Sequence, residues 1–171
     1  MKSNNKILKL TIPYFLKKNF IFNNYYQANI NDLFVGLLSI SSRNPVYKSI
    51  FETPHYTFAK KTIFGINLKD TSEYKSYKHY SMINAHACSE KKFIKLIENI
   101  VENSYDWENK PILVFKNWRR PLPLNRLDVA DGFHRLAILA ALDQKLIKVG
   151  LLKYKHDILT RLKKNIYTSN N

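Results

Sequence analysis

The chain has 171 residues, of which 45% are hydrophobic and 24% charged. This length fits one domain, and the composition allows a hydrophobic core and excludes global disorder. No apolar run approaches the about 20 residues that a membrane-spanning helix needs, and the basic start lacks the apolar stretch of a signal peptide, so we expect a cytoplasmic protein that does not cross a membrane. A single cysteine, Cys88, excludes an intrachain disulfide and a cysteine-based zinc cluster.

The net charge is +15 at pH 7, which by itself suggests a nucleic-acid partner. Of the 28 basic residues, however, 22 are lysine, and the chain also contains 18 asparagines and 17 isoleucines. An AT-rich coding sequence enriches these three residue types without any selection for binding, and the lysines are scattered along the chain. Nucleic acid is therefore kept as an alternative partner and is not favoured.

The start of the chain predicts three elements. Residues 6–12 have the pattern of a short strand. A helix is predicted over 30–40, with Asn31 or Asp32 as its N-cap, and a loop follows over 41–45.

Residues 46–82 lack a clear period and are predicted to be irregular, although they are rich in aromatic residues. Tyr74, Tyr77 and Tyr80 recur at a three-residue spacing, which would place them along one side of a helix. Aromatic side chains mixed with lysines could form a stacking platform for single-stranded nucleic acid, but core filling is the more common use of such residues.

The second half of the chain has clearer patterns. Ser89 is predicted to cap a helix over 90–103. The expected apolar stripe of this helix consists of Phe93, Ile97, Ile100 and Val101.

The remaining elements are three strands and two helices. Strands over 111–116 and 124–130 should form a hairpin, and a buried helix is predicted over 136–142. A third strand is expected at 147–154 and a last amphipathic helix at 158–166. The pattern as a whole predicts an α/β (α+β) domain with a small mixed sheet and helices packed on it.

The most informative motif is Asp131-Gly132-Phe133-His134-Arg135, because it joins a predicted strand to a predicted helix through a glycine turn. Unpaired backbone N–H groups and the positive end of the helix dipole make such a turn suited to an anion. His134 and Arg135 add donors for phosphate in the first helical turn, and Asp131 can bind Mg²⁺. On this interpretation Arg135→Ala should leave folding nearly intact.

Each residue of the motif also has a structural interpretation. The sole role of Asp131 can be that of helix N-cap. Gly132 is expected to have a positive φ under both interpretations. His134 can be a core histidine whose hydrogen bonds are satisfied within the protein, and Arg135 can be one half of a surface ion pair.

These residues, followed by Leu136-Ala137 and the strand starting at Ile147, resemble the ParB/sulfiredoxin superfamily. The resemblance covers about residues 80–154 and implies a ParB/sulfiredoxin-like core at 80–171 that residues 1–79 cover as an N-terminal extension. Sulfiredoxins have a catalytic cysteine just before the histidine, where this chain has Phe133. Chromosome-partitioning ParB proteins continue into a helix-turn-helix domain, for which the residues after 154 offer one helix at most.

The branch that is left contains free-serine kinases and related phosphotransferases, whose motif is similar to Asp-Gly-His-His-Arg. The resemblance implies ATP or ADP with Mg²⁺, phosphates bound by Gly132, His134 and Arg135, and a small hydroxyl metabolite such as serine, an amino alcohol or a sugar as acceptor. The alternative functions are a ParB-like DNA-associated binding protein or nuclease, and a degenerate fold with an interaction role.

The resemblance also implies an upstream carboxylate as general base. Glu90 is the best positional match. It also has a structural interpretation, because a glutamate in the first turn of a helix interacts favourably with the positive end of the helix dipole. Glu52 is the second candidate, and its surroundings resemble a segment of ParB-like proteins encoded near surface-polysaccharide genes.

Three further residues are candidates for substrate binding. His55 follows Glu52 closely and can contact a substrate or simply pack among aromatic side chains. Arg119 and Arg120 lie in the predicted hairpin turn, where they can clamp phosphates or form an exposed, solubilising turn. His79 and His86 alone do not make a metal site.

Overall fold

The computed structural model describes residues 20–39, 42–66, 71–83, 88–116 and 126–155. The strands of this part of the chain are β1 (Phe20–Asn29), β2 (Leu33–Ser39), β3 (Ser42–Ser49), β4 (Ile112–Phe115), β5 (Leu127–Asp131) and β6 (Leu146–Tyr154). Its α-helices are α1 (Pro54–Ile63), α2 (Ser72–Ile83), α3 (Glu90–Asn103) and α4 (Phe133–Ala141). Short 3-10 turns at Ile30–Asp32 and Ile50–Glu52 precede β2 and α1.

The strands form one mixed sheet in the order β1-β6-β4-β5-β2-β3. The pairs β1/β6, β4/β5 and β2/β3 are antiparallel, whereas β6/β4 and β5/β2 are parallel. The sheet and helices confirm the predicted α/β class, and β5 lies in the interior of the sheet, so the turn after it starts from a well-supported strand.

The described helices pack against one face of this sheet. The side chains of β4 show the division, because Ile112 and Val114 join the helices in the main core, whereas Leu113 and Phe115 join a smaller cluster on the other face. All four are buried, as expected for a central strand that is covered on both sides.

The second half of the chain confirms most of its predicted elements. α3 begins after Ser89, and β4, β5, α4 and β6 occupy the positions of the predicted strands and buried helix. Val101 is a correction, because it is 52% exposed and lies outside the apolar stripe of α3. The predicted turn over 117–123 and the predicted elements at 6–12 and 158–166 lie outside the described residues.

The first half differs from its prediction at three places. The predicted helix over 30–40 is wrong, because the chain forms a 3-10 turn and then β2. In the predicted loop, residues 42–45 belong to β3, which accommodates Pro45 because it lies at one end of the described sheet. The prediction of an irregular stretch over 46–82 is wrong, because this stretch contains α1 and α2. The predicted tyrosine spacing is confirmed on α2, where Tyr77 and Tyr80 are buried.

The predicted division of the chain into an extension and a core does not correspond to a boundary in the fold. Residues 20–49 supply strands at both ends of the sheet, and α1 and α2 contribute to the main core. The expected boundary near residue 79 falls inside α2. This part of the chain therefore completes the sheet and core.

Candidate functional site

The turn between β5 and α4 requires a glycine. Gly132 has φ 98° and ψ 24°, a left-handed conformation that side chains disfavour. A Cβ atom at this position would lie 3.1 Å from Cγ1 of Ile112 and 3.2 Å from Nη2 of Arg135. The backbone geometry and the close approach of β4 therefore both disfavour larger residues, and the predicted positive φ is confirmed.

The N-terminus of α4 lacks the features that stabilise the starts of the other described helices. Its N-cap is Gly132, not Asp131, so it has no capping side chain, and no acidic residue lies in its first turn. By contrast, Thr53 caps α1 by accepting from the N–H of Tyr56, and α2 and α3 have an acidic residue in the first turn. The first N–H groups of α4 and its positive dipole end are therefore not neutralised by a capping side chain or a first-turn carboxylate.

Arg135 is engaged by the protein itself. Its Nη2 donates to Oδ2 of Asp131 at 3.1 Å, and its Nη1 donates to the carbonyl oxygens of Lys110 and Pro111. The side chain is only 16% exposed. Arg135 thus joins the start of α4 to the segment that leads into β4, a structural role that favours the ion-pair interpretation over a free phosphate clamp.

This geometry reverses the expectation that Arg135 is dispensable for folding. We expect Arg135→Ala to cost about 2–3 kcal/mol, because it removes charge-assisted hydrogen bonds and leaves two carbonyl groups without their partner. Leu139→Ala, which opens a cavity in a buried part of α4, should cost about 2–5 kcal/mol. Urea unfolding of both variants, with the exposed Lys95→Ala as control, measures the comparison. An Arg135→Ala protein as stable as Lys95→Ala would contradict the structural role.

One ring nitrogen of His134 faces the protein core. Its Nε2 lies 2.8 Å from the hydroxyl oxygen of Tyr77, and this hydroxyl donates to the carbonyl oxygen of Cys88 at 2.7 Å. Burial, followed by the charge of Arg135, lowers the pKa of His134 to about 4. The ring is therefore neutral at pH 7 and does not supply the positive charge that phosphate binding would use.

The ring of His55 packs against the ring of His134, with 4.7 Å between the ring centroids. It is 1% exposed, and neither ring nitrogen has a hydrogen-bond partner among the residues that the structure describes. Burial, followed by the effect of His134, lowers its pKa to about 3. The other rings around it are those of Tyr77, Tyr80 and Phe93. This enclosure corresponds to the packing interpretation of His55 and leaves no ring atom facing a substrate.

The three candidate carboxylates, Glu90, Glu52 and Asp131, lie on different elements of the fold. Glu90 is the first residue of α3, and the adjacent Cys88 carbonyl connects this helix start to His134 through Tyr77. Glu52 is exposed in the 3-10 turn before α1.

Within the described residues, no group of three or more His, Cys, Asp or Glu side chains converges to hold a metal. Asp131 is the carboxylate next to the turn, and Mg²⁺ is commonly held by one or two carboxylates together with substrate phosphates, so the residues fit Mg²⁺ only in company with a polyphosphate.

The other predicted site residues do not join this cluster. Arg119, Arg120 and His86 lie outside the described residues, and His79 is exposed on α2. Tyr77 has no motif that marks it as a functional residue, although the tyrosine spacing marks the buried side of α2. No described helix is long and apolar enough to cross a membrane.

No protein-family model matches the chain, and neither a curated protein nor a solved structure is significantly similar to it.

Proposed function

We propose that the protein is a nucleotide-dependent phosphotransferase with a ParB/sulfiredoxin-like fold, which binds the phosphates of ATP or ADP at the turn between β5 and α4 and phosphorylates a small hydroxyl metabolite. The observation that carries the proposal is the start of α4. A left-handed glycine opens the helix, and neither a capping side chain nor a first-turn carboxylate competes for its N–H groups.

In this proposal each residue of the motif has a separate role. Gly132 allows the backbone to approach the phosphates, and the first N–H groups of α4 bind them. Asp131 would hold Mg²⁺ when a polyphosphate is bound, and the ion would supply charge neutralisation. Arg135 supports the turn through its bonds to Asp131 and to the carbonyl groups before β4. Catalysis in such a site consists mainly of positioning and charge stabilisation.

Thiol chemistry of the sulfiredoxin kind is not favoured. Burial raises the pKa of the Cys88 thiol, which keeps it protonated at neutral pH, and its Sγ donates to the carbonyl oxygen of Ser89. The thiolate is the reactive form of cysteine, so this environment lowers the reactivity of Cys88.

Calorimetry with Mg·ATP and Mg·ADP tests the proposal. The wild-type protein is expected to bind in the micromolar range, about −8 kcal/mol. Asp131→Asn should lose the dependence of binding on Mg²⁺, whereas Asp143→Asn, the same change beyond the other end of α4, should bind like wild type. Absence of both heat and a thermal shift with every nucleotide would overturn the proposal.

The net charge of +15 is the observation that favours DNA association as the second candidate function. A phosphotransferase with scattered lysines should bind DNA weakly and lose that binding as the salt concentration rises through the physiological range. A tight, sequence-selective complex at physiological salt would instead favour the ParB-like DNA-binding alternative.

A further inference from the structure

The hydrogen bonds of Tyr77 determine which nitrogen of His134 carries the proton. The tyrosine hydroxyl has one proton, and the Cys88 carbonyl oxygen, 2.7 Å away, can only accept. Burial raises the pKa of Tyr77, so its hydroxyl remains protonated. Tyr77 therefore donates to Cys88, and its oxygen accepts the N–H of Nε2 of His134 at 2.8 Å.

A neutral imidazole carries a single N–H, so Nδ1 of His134 is left with a free lone pair. This nitrogen is not among the enclosed polar atoms that lack a partner, and His134 as a whole residue is half-buried. His134 lies in the first turn of α4, where side chains lean towards the helix N-terminus, so the ring lies next to the Gly132 turn.

The packing around His134 holds the ring in this orientation. The rings of His55 and Phe93 each meet it at nearly right angles, with 4.7 Å between centroids. Reversal of the ring would also break the bond to Tyr77. The result is a fixed hydrogen-bond acceptor on the first turn of α4, the helix whose N–H groups would bind phosphate.

Building on the phosphotransferase proposed above, we propose that Nδ1 of His134 accepts the proton of the substrate hydroxyl, and that Tyr77 is the positioning residue that fixes this tautomer. The hydroxyl oxygen forms a bond to the terminal phosphorus of the nucleotide, while the bond from that phosphorus to the bridging oxygen breaks. The electron pair leaves with the shortened nucleotide, and the hydroxyl proton moves to Nδ1. His134 thereby takes the place of Glu90 or Glu52 as the base.

Long-range ¹H–¹⁵N NMR of the full chain tests the tautomer without any assumption about activity. The wild-type protein should show Nε2 of His134 protonated and Nδ1 unprotonated. Tyr77→Phe should lose this preference, whereas Tyr74→Phe, one turn earlier on α2, should keep the wild-type pattern. A proton on Nδ1 in the wild type, or an unchanged pattern in Tyr77→Phe, would overturn the role of Tyr77. If Tyr77→Phe does not fold, the wild-type spectrum alone decides which nitrogen of His134 carries the proton.

Steady-state transfer from Mg·ATP to serine, ethanolamine or glucose tests the catalytic step. His134→Gln should reduce turnover about 10²- to 10⁴-fold while its affinity for Mg·ADP stays within twofold of wild type. A parallel loss of affinity would show that His134 binds phosphate and would overturn the base role. A wild-type protein that neither binds Mg·ADP nor transfers phosphate would overturn the proposed function and the base role, and the NMR result would still decide the role of Tyr77.

Discussion

Acidification from pH 7 to pH 5 is expected to lower the free energy of unfolding by about 4 kcal/mol, about 2 kcal/mol for each of the two buried histidines. In the folded protein the pKa of His55 lies at about 3 and that of His134 at about 4, both because of burial, and each returns to about 6.5 in the unfolded chain. The unfolded chain therefore binds protons that the folded chain excludes. This stability is present in full above pH 6.5 and is lost as the pH falls towards the folded values.

Few charged groups can offset this effect. His134 has Arg135 as its neighbour in sequence, which opposes a further positive charge. Tyr77 remains protonated, and within the described part of the chain His134 is the titratable group that affects the pKa of His55. Since small domains have a total stability of about 5–15 kcal/mol, a loss of about 4 kcal/mol is a large fraction of the total.

Urea unfolding at a series of pH values measures the loss, and His55→Leu assigns it. Leucine fills a similar volume without the two ring nitrogens that lack partners, so the variant should lose only about 2 kcal/mol between pH 7 and pH 5. The exposed His79→Gln is the matched control and should behave like wild type. Equal losses in His55→Leu and wild type would show that His55 is not the source of the acid sensitivity.

The second half of the chain was predictable because its elements have strong local patterns. β4 is a short apolar run, and α4 is a continuous apolar helix that begins at a glycine turn. A central strand and a buried helix both tolerate apolar residues on every side, and the glycine between Asp131 and Phe133 marked where one changes to the other.

The same ambiguity misled the prediction in the first half. The apolar run from Leu33 onwards suits a buried helix as well as a strand, and only its pairing with β5 and β3 makes it a strand. The start of α1 did carry a signal, because Thr53 followed by Pro54 is a capping residue before a proline in the first helical position.

The turn itself was predictable, but the partners of its side chains were not. Tyr77 and His134 are 57 residues apart, and Arg135 and Lys110 are 25 residues apart. No local pattern links residues at such separations, since their contact depends on how α2 and β4 pack around α4. The motif alone therefore favours a ligand as the partner of His134 and Arg135, whereas both have partners within the protein.

Gly132→Ala is expected to lower the free energy of unfolding by about 3 kcal/mol, the sum of two separate costs. A left-handed backbone disfavours any side chain, and φ at this residue is 98°. In addition, the new Cβ would press on backbone and side-chain atoms of Ile112 and on the guanidinium of Arg135, at 3.1–3.2 Å. Because the Ile112 backbone belongs to a central strand, it cannot move away without disturbing the sheet.

Gly65→Ala separates these two costs. Gly65 also has a positive φ, 68°, but a Cβ there would have no heavy atom within 4 Å. It should therefore lose only about 1–2 kcal/mol, the cost of the left-handed backbone alone. Urea unfolding gives the difference between the two variants, and calorimetry with Mg·ADP should show lost binding for Gly132→Ala and unchanged binding for Gly65→Ala. If both variants lost the same stability, the backbone conformation alone would set the cost, and the close approach of β4 to the turn would play no part in the requirement for glycine.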